Sequence, residues 1–223
     1  MAIRTMREVI VLPTDEDVAR QAAHFICERV RTGVDEHGSF SLALSGGRTP
    51  ARMLELFGDE EGVPWQAVDV YQTDERICSL GDPDRNLSLL EEALPKARIH
   101  PMPVDDADVV EAAQRYGAQL PERLDLVHLG LGEDGHTASL VPNCGALKVR
   151  DRDVAISREY NGHRRMTLTY PAIDRSREVL WVVTGDDKRE ALERLLSGDE
   201  SIPAARVRTP IQTVITDIDV AYP

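Results

Sequence analysis

The sequence has few cysteines and no long apolar run. Its three cysteines, Cys27, Cys78 and Cys144, lie far apart and form none of the close pairs typical of zinc or redox sites, so we interpret them as ordinary thiols. No stretch reaches the roughly 18 apolar residues that span a bilayer, and the residues before Ile10 lack the basic start and apolar stretch of a signal peptide. We therefore expect a soluble, cytoplasmic protein with no membrane partner.

Positive charge is also scarce. The chain has 26 basic and 39 acidic side chains, which gives a formal net charge of −13. This balance argues against nucleic acid or an anionic membrane as a partner. We interpret the acidity as a contribution to solubility, with adaptation to salt as the alternative. If the substrate is an anion, the protein must gather local positive charge around it.

The chain of 223 residues, 42% of them apolar, can bury a full core. It contains no linker-like segment, internal repeat or low-complexity tract, so we predict a single domain over residues 1–223.

Segments of strand and helix character alternate along the chain. Strands are predicted at residues 9–12, 40–44, 68–71, 126–129, 154–156, 166–168, 179–184 and 211–215, and helices at 15–30, 50–57, 87–93, 109–120 and 187–196. This order predicts an α/β three-layer sandwich, in which a mostly parallel, Rossmann-like sheet carries helices on both faces and right-handed crossovers connect the strands.

The most informative segment is residues 130–140, which follow the apolar strand 126–129. Its glycines let the backbone turn sharply, and the crevice beyond such a strand is where open α/β sheets bind ligands. His136 is the side chain best suited to move a proton near neutral pH, and Asp134 stands beside it. A metal shared with His128 is the alternative, but His128 lies inside the apolar strand and no further ligands follow at a recognisable spacing. We interpret His136 as an acid/base.

A second candidate is the turn at residues 45–50, between a strand and a helix that we expect Pro50 to begin. Backbone N–H groups around Gly46 and Gly47, with the hydroxyls of Ser45 and Thr49, would suit a phosphate. A plain tight turn is the alternative. Neither the dinucleotide fingerprint nor the Walker pattern is present, so neither a dinucleotide nor ATP is indicated.

Two further segments supply charge. Asp74 and Arg76 follow the strand 68–71, where they would orient a ligand or, alternatively, form a surface ion pair. Arg164, Arg165 and Lys188 are candidate cations for a phosphate, and solvated surface charges are the alternative reading.

Taken together, these segments resemble the 6-phosphogluconolactonase family, the sister of the glucosamine-6-phosphate deaminases. The resemblance rests on residues 44–50, 73–76, 130–140 and 165–169 and on Gly185 with Lys188. In the deaminase branch the histidine is followed by Ile-Ala-Phe-Asn-Glu-Pro, whereas residues 137–142 here lack that glutamate. Two positions depart from the lactonase pattern in minor ways: Val141 replaces the usual Phe, and Arg48 fills a variable position.

The resemblance implies hydrolysis of a 6-phosphogluconolactone, with a small-molecule sugar-phosphate lactone as the partner and no metal or organic cofactor. It implies that His136 acts as base and then as acid, that Asp134 positions it, and that Arg76 stabilises the oxyanion or contacts the phosphate. The substrate and phosphate residues that it implies are Ser45, Gly46, Gly47, Thr49, Asp74, Arg165 and Lys188.

Two other functions stay open at this point. A sugar-phosphate isomerase or deaminase would use Asp74 to abstract a proton next to the carbonyl. A sensor would keep the pocket without catalysis. The sequence also leaves open the choice between Arg164 and Arg165, and that between a monomer and a small homo-oligomer.

Overall fold

The computed structural model of the chain describes residues 6–79 and 81–220, and for Arg48 it describes the backbone alone. Within these residues no helix is long and apolar enough to cross a membrane. In chain order the elements are β1 (Met6–Val11), α1 (Asp15–His37), β2 (Phe40–Leu44), α2 (Arg48–Asp59), β3 (Val68–Gln72), β4 (Asp74–Arg76), α3 (Asn86–Ala93), β5 (Arg98–His100), α4 (Val109–Gln119), β6 (Leu126–Leu129), β7 (Val154–Tyr160), β8 (His163–Leu168), α5 (Tyr170–Asp174), β9 (Glu178–Val183), α6 (Arg189–Ser197) and β10 (Ile211–Thr216).

The central layer is a seven-stranded sheet of order β1-β10-β9-β6-β2-β3-β5, and its neighbouring strands are parallel. Alternate side chains of β2 point to opposite faces. Phe40, Leu42 and Leu44 pack in one core with α1, α2 and α3, whereas Ala43 packs in a second core with α4, α5 and α6. The predicted α/β fold with helices on both faces is confirmed.

The strands predicted at 154–156 and 166–168 do not belong to this sheet, which corrects the prediction. They are β7 and β8, which form a separate antiparallel sheet of order β4-β8-β7. The physical reason is the two-residue connection, Asn161 (φ 49°) and Gly162 (φ 79°). Two positive φ values favour a tight hairpin, whereas parallel strands need a long crossover.

The start of α2 also differs from the prediction. The helix begins at Arg48, with Gly47 as its N-cap, so Pro50 is the third helical residue and not the first. Proline is tolerated there because the first four N–H groups of a helix have no acceptor within the helix. The short elements β4, β5 and α5 were not predicted, since three to five residues are too few to show a period.

The strand order changes direction between β2 and β6. From β2 the chain continues to β3 and β5 on one side, and from β6 to β9 and β10 on the other. The carboxyl ends of two such neighbours leave a crevice between their loops. The loops that follow β2 and β6 are the first two candidates of the sequence analysis.

Candidate active site

A cleft of about 280 Å³ opens at the carboxyl ends of β2 and β6. Of the residues predicted for the site, those that line it are Ser45, Gly46, Gly47, Thr49, Asp74, Arg76, His136, Arg165 and Lys188. The remaining one, Asp134, contacts His136 directly. The structure therefore brings together segments that are more than 100 residues apart in the sequence.

His136 and Asp134 form the chemically most capable pair in the cleft. The Nδ1 atom of His136 lies 2.6 Å from Oδ1 of Asp134, and the same oxygen accepts the backbone N–H of His136 at 3.1 Å. Burial alone would raise the pKa of Asp134, but these hydrogen bonds from His136 hold it below its ordinary value. An ionised carboxylate accepts the Nδ1 proton, so Nε2 is the ring nitrogen left to accept another.

Glycines allow the loop after β6 to hold the imidazole in this position. The N–H of Gly132 donates to the carbonyl of His136 at 2.9 Å, and a Cβ on Gly132 would lie 2.0 Å from Nδ1 of His136. Gly135 has φ +78°, and a Cβ there would lie 2.4 Å from Ile202. Side chains at these two positions would displace the histidine or the loop.

Tyr160, at the end of β7, is a site residue that sequence reasoning missed. Its ring lies edge-on to His136, with 5.2 Å between the centroids, and its hydroxyl donates to Oδ2 of Asp134 at 3.5 Å. The guanidinium of Arg165 lies 5.8 Å from the centroid of the same ring. The signal that could have found it is the Asn161-Gly162 pair, which is typical of a hairpin turn.

Asp74 does not form a surface ion pair with Arg76, so that alternative is wrong. The carboxylate of Asp74 is buried. It accepts a hydrogen bond from the hydroxyl of Ser139 at 2.5 Å and lies 3.8 Å from Nη1 of Arg165. Burial raises the pKa of Asp74, while the bond from Ser139 and the charge of Arg165 oppose that rise. Arg76 instead donates to the carbonyl of Asp84.

Glu75, which lies between Asp74 and Arg76 in the sequence, was also missed. It is fully buried, and its carboxylate accepts the first N–H groups of α3, from Asn86 and Leu87, both at 2.8 Å. Asn86 in turn donates to the carbonyl of Asp74 at 2.9 Å. A Cβ on Gly46 would lie 2.4 Å from Oδ1 of Asn86. Glu75 therefore fixes the wall against which the glycine turn packs.

Ser45 supports this turn from below. Its hydroxyl donates to the carbonyl of His128 at 3.0 Å and lies 2.7 Å from the hydroxyl of Thr73. The N–H of Ser45 donates to Nδ1 of His128 at 3.4 Å. Burial lowers the pKa of His128 to about 3, so this imidazole is neutral. The hydroxyl of Ser45, which was predicted to help surround a phosphate, thus bonds to residues of the neighbouring strands.

The glycine turn leaves the N-terminus of α2 available to an anion. Gly47, the N-cap, has φ 119°, and no side chain caps the helix. The hydroxyl of Thr49 accepts a hydrogen bond from the hydroxyl of Thr184 at 3.4 Å. Uncapped N–H groups at the positive end of a helix form a favourable environment for phosphate.

Two cations face the same region. Arg165 is buried and lines the cleft, whereas Arg164 is exposed, which answers the question that the sequence left open. Burial lowers the pKa of Arg165, and within the described residues its Nε has no hydrogen-bond partner. Lys188 lies 3.1 Å from Glu133 and 2.9 Å from Asp187. Burial would lower the pKa of Lys188, but these two carboxylates raise it above its ordinary value.

Comparison with solved structures supports the fold. A 6-phosphogluconolactonase from Shewanella baltica superposes with a TM-score of 0.82 at 24% identity, covering 97% of this chain and 99% of that one. A monomeric glucosamine-6-phosphate deaminase superposes with a TM-score of 0.80 at 19% identity, covering 94% and 97%. Because both identities are low, these likenesses show the architecture alone.

Sequence comparison gives the family. The model of glucosamine-6-phosphate isomerases/6-phosphogluconolactonase matches residues 13–216. A 6-phosphogluconolactonase from Synechocystis is 35% identical over 206 residues, 85% of each chain, and one from Nostoc is 32% identical over 233 residues, 96% of each. The human GDH/6PGL endoplasmic bifunctional protein is 34% identical over 199 residues, 81% of this chain and 25% of that protein. The chain therefore belongs to the glucosamine-6-phosphate isomerase/6-phosphogluconolactonase family, as its motifs predicted.

Proposed function

We propose that the protein hydrolyses 6-phospho-D-glucono-1,5-lactone to 6-phosphogluconate, the second step of the oxidative pentose phosphate pathway. The observation that carries this proposal is the 2.6 Å contact between His136 and Asp134 in a cleft that also holds Arg76, Arg165 and Lys188. It joins a histidine base to the cations that a phosphorylated substrate needs. The relatives from Synechocystis and Nostoc, which bear the name of this activity, support it.

In the proposed mechanism His136 acts twice. Its Nε2 takes a proton from water as the water oxygen bonds to the lactone carbonyl, and Asp134 stabilises the imidazolium that forms. The tetrahedral intermediate then collapses with cleavage of the bond to the ring oxygen, and His136 returns the proton to that oxygen. We assign to Arg76 the stabilisation of the oxyanion. These steps require no metal or organic cofactor.

The phosphate in this proposal lies against the start of α2. The N–H groups around Gly46 and Gly47 face it, with Thr49 beside them, and Arg165 and Lys188 supply its counter-charge. An arginine with a free Nε and a lysine at the start of α6 suit this role, because charge-assisted hydrogen bonds are about twice as strong as neutral ones. This arrangement distinguishes a sugar-phosphate enzyme from a general esterase.

Deamination of glucosamine 6-phosphate is the second candidate, because the raised pKa of the buried Asp74 would suit a carboxylate that accepts a proton from carbon. The sequence lacks the glutamate that follows the histidine in that branch, so we rank this function second. Ammonia release from glucosamine 6-phosphate would support it, and the absence of release would exclude it.

The lactonase proposal is tested by comparing wild-type protein with His136→Gln, each corrected for spontaneous lactone hydrolysis. We expect the variant to lose about 100- to 10,000-fold in kcat, the usual contribution of a positioned acid/base. Circular dichroism would check that the variant is folded. A folded variant with near-normal kcat would remove His136 from the mechanism, and a wild type no faster than the uncatalysed reaction would refute the function.

A further inference from the structure

Two exposed carboxylates hold the ammonium group of Lys188. Its Nζ lies 3.1 Å from Oε1 of Glu133 and 2.9 Å from Oδ2 of Asp187. The Lys188 side chain is only 21% exposed, whereas those of Glu133 and Asp187 are 68% and 56% exposed. The lysine is thus held in place inside the cleft, and its partners face solvent.

The backbone brings both carboxylates to this position. Glu133 lies in the loop after β6, one residue before Asp134. Asp187 lies in the 3₁₀ turn Asp186–Lys188 that precedes α6. Gly185, with φ +93°, allows this approach, because a Cβ at that position would lie 2.5 Å from Oδ1 of Asp187.

The charge of this group opposes an incoming anion. Lys188 contributes one positive charge and the two carboxylates contribute two negative charges, so an approaching phosphate has to compete with them for the ammonium. Ion pairs with exposed carboxylates are weak, and a dianion that also gains Arg165 and the start of α2 can displace them. An anion with a single charge gains less from the same cations and displaces the same carboxylates.

We propose that Glu133 is a specificity-determining residue that competes with the substrate phosphate for Lys188. Binding of the phosphate releases Glu133 from the lysine, and a singly charged anion binds less tightly because it displaces the same carboxylate for a smaller gain from the cations. Asp187 adds to the same competition. This inference rests on the proposed function, because it takes the phosphate of the substrate as the ligand of Lys188.

The test is a calorimetric titration that measures the binding of inorganic phosphate to the protein. It compares the wild type with Glu133→Gln and with Glu193→Gln, which removes the same charge from an exposed position of α6. Lys188→Ala and the double variant Glu133→Gln/Lys188→Ala complete a double-mutant cycle between Glu133 and Lys188. We expect Glu133→Gln to lower the Kd for phosphate about two- to fivefold, the effect of an exposed ion pair. We expect Glu193→Gln to leave it unchanged, and the Glu133 effect to vanish without Lys188.

Three results would overturn the proposal. They are an unchanged or weaker affinity in Glu133→Gln, an equal gain in Glu193→Gln, and a Glu133 effect that persists in the Lys188→Ala background. Because the titration measures binding alone, it is separate from the lactone assay. A wild type without lactonase activity would refute the proposed function, whereas a wild type that hydrolyses the lactone but fails the phosphate cycle would refute only the role of Glu133.

Discussion

At His136 the chemistry depends on which ring nitrogen carries the proton. The carboxylate of Asp134 accepts from Nδ1, so the neutral imidazole presents Nε2 as its base. Tyr160 donates to the other oxygen of Asp134, and its ring packs against the imidazole at an angle of 60°. The two neighbours therefore fix both the tautomer and the orientation of the ring.

This arrangement predicts a pH dependence. Activity falls as the pH decreases, because the protonated imidazole cannot accept a proton from water. The lowered pKa of Asp134 keeps its carboxylate ionised over the pH range in which this fall is measured. Asp134→Asn removes the negative charge that stabilises the imidazolium. We therefore expect two effects: a lower kcat, and an acid limb of kcat/KM that lies at lower pH than in the wild type.

The measurement is the profile of kcat/KM from pH 5 to 8 for the wild type and Asp134→Asn, after subtraction of the spontaneous rate. A flat wild-type profile would rule out a histidine base. An acid limb that stays in place in Asp134→Asn would show that the carboxylate does not act on the imidazole.

At the scale of elements, the loop after β6 sets the position of the ring. Gly132→Ala places a Cβ 2.0 Å from Nδ1 of His136, whereas Gly145→Ala places one in open space outside the cleft. We expect Gly132→Ala to lower kcat by at least tenfold, since small displacements of a catalytic group are costly. Gly145→Ala, the same substitution further along the connection between β6 and β7, should stay within about twofold of the wild type. Similar kcat values in the two variants would contradict this account of the loop.

The start of α3 depends on a single buried carboxylate. Glu75 accepts the N–H groups of Arg76, Asn86 and Leu87, each at 2.8 Å, and lies 3.4 Å from Nε of the buried Arg85. Glu75→Ala would leave these donors unpaired, so we expect the free energy of unfolding to fall by about 3–5 kcal/mol.

Urea denaturation would measure this loss. Glu91→Ala, which removes a carboxylate from the exposed side of the same helix, should change the free energy by no more than about 0.5 kcal/mol. Equal stabilities of the two variants would show that the carboxylate of Glu75 does not hold α3.

The elements also show where sequence reasoning succeeds. The loops after β2 and β6 were predicted because glycine and polar residues follow clear apolar strands. Tyr160 was missed because its approach to His136 depends on the β7–β8 hairpin, which was assigned to the wrong sheet. Glu75 was missed because two of its donors come from a helix that begins eleven residues further on, and a pattern of charges does not reveal burial.

At the scale of the whole molecule, a strongly negative chain places three cations in one cleft. The chain carries −13, yet Arg76, Arg165 and Lys188 line one cleft. A dianionic substrate is repelled by the overall field and attracted by the three cations of this cleft. Selectivity should therefore reside in the pocket, where each charged hydrogen bond contributes about 1.5–3 kcal/mol.

The most direct test of the central claim is the ratio of kcat/KM for 6-phosphogluconolactone to that for unphosphorylated gluconolactone. We expect the wild type to favour the phosphorylated lactone by orders of magnitude. We also expect Lys188→Ala and Arg165→Ala to raise KM for that substrate alone, by about 10- to 150-fold each. A preference that survives in the double variant would contradict the phosphate site that we assign to Lys188 and Arg165. Similar values for the two lactones in the wild type would contradict the proposed function itself.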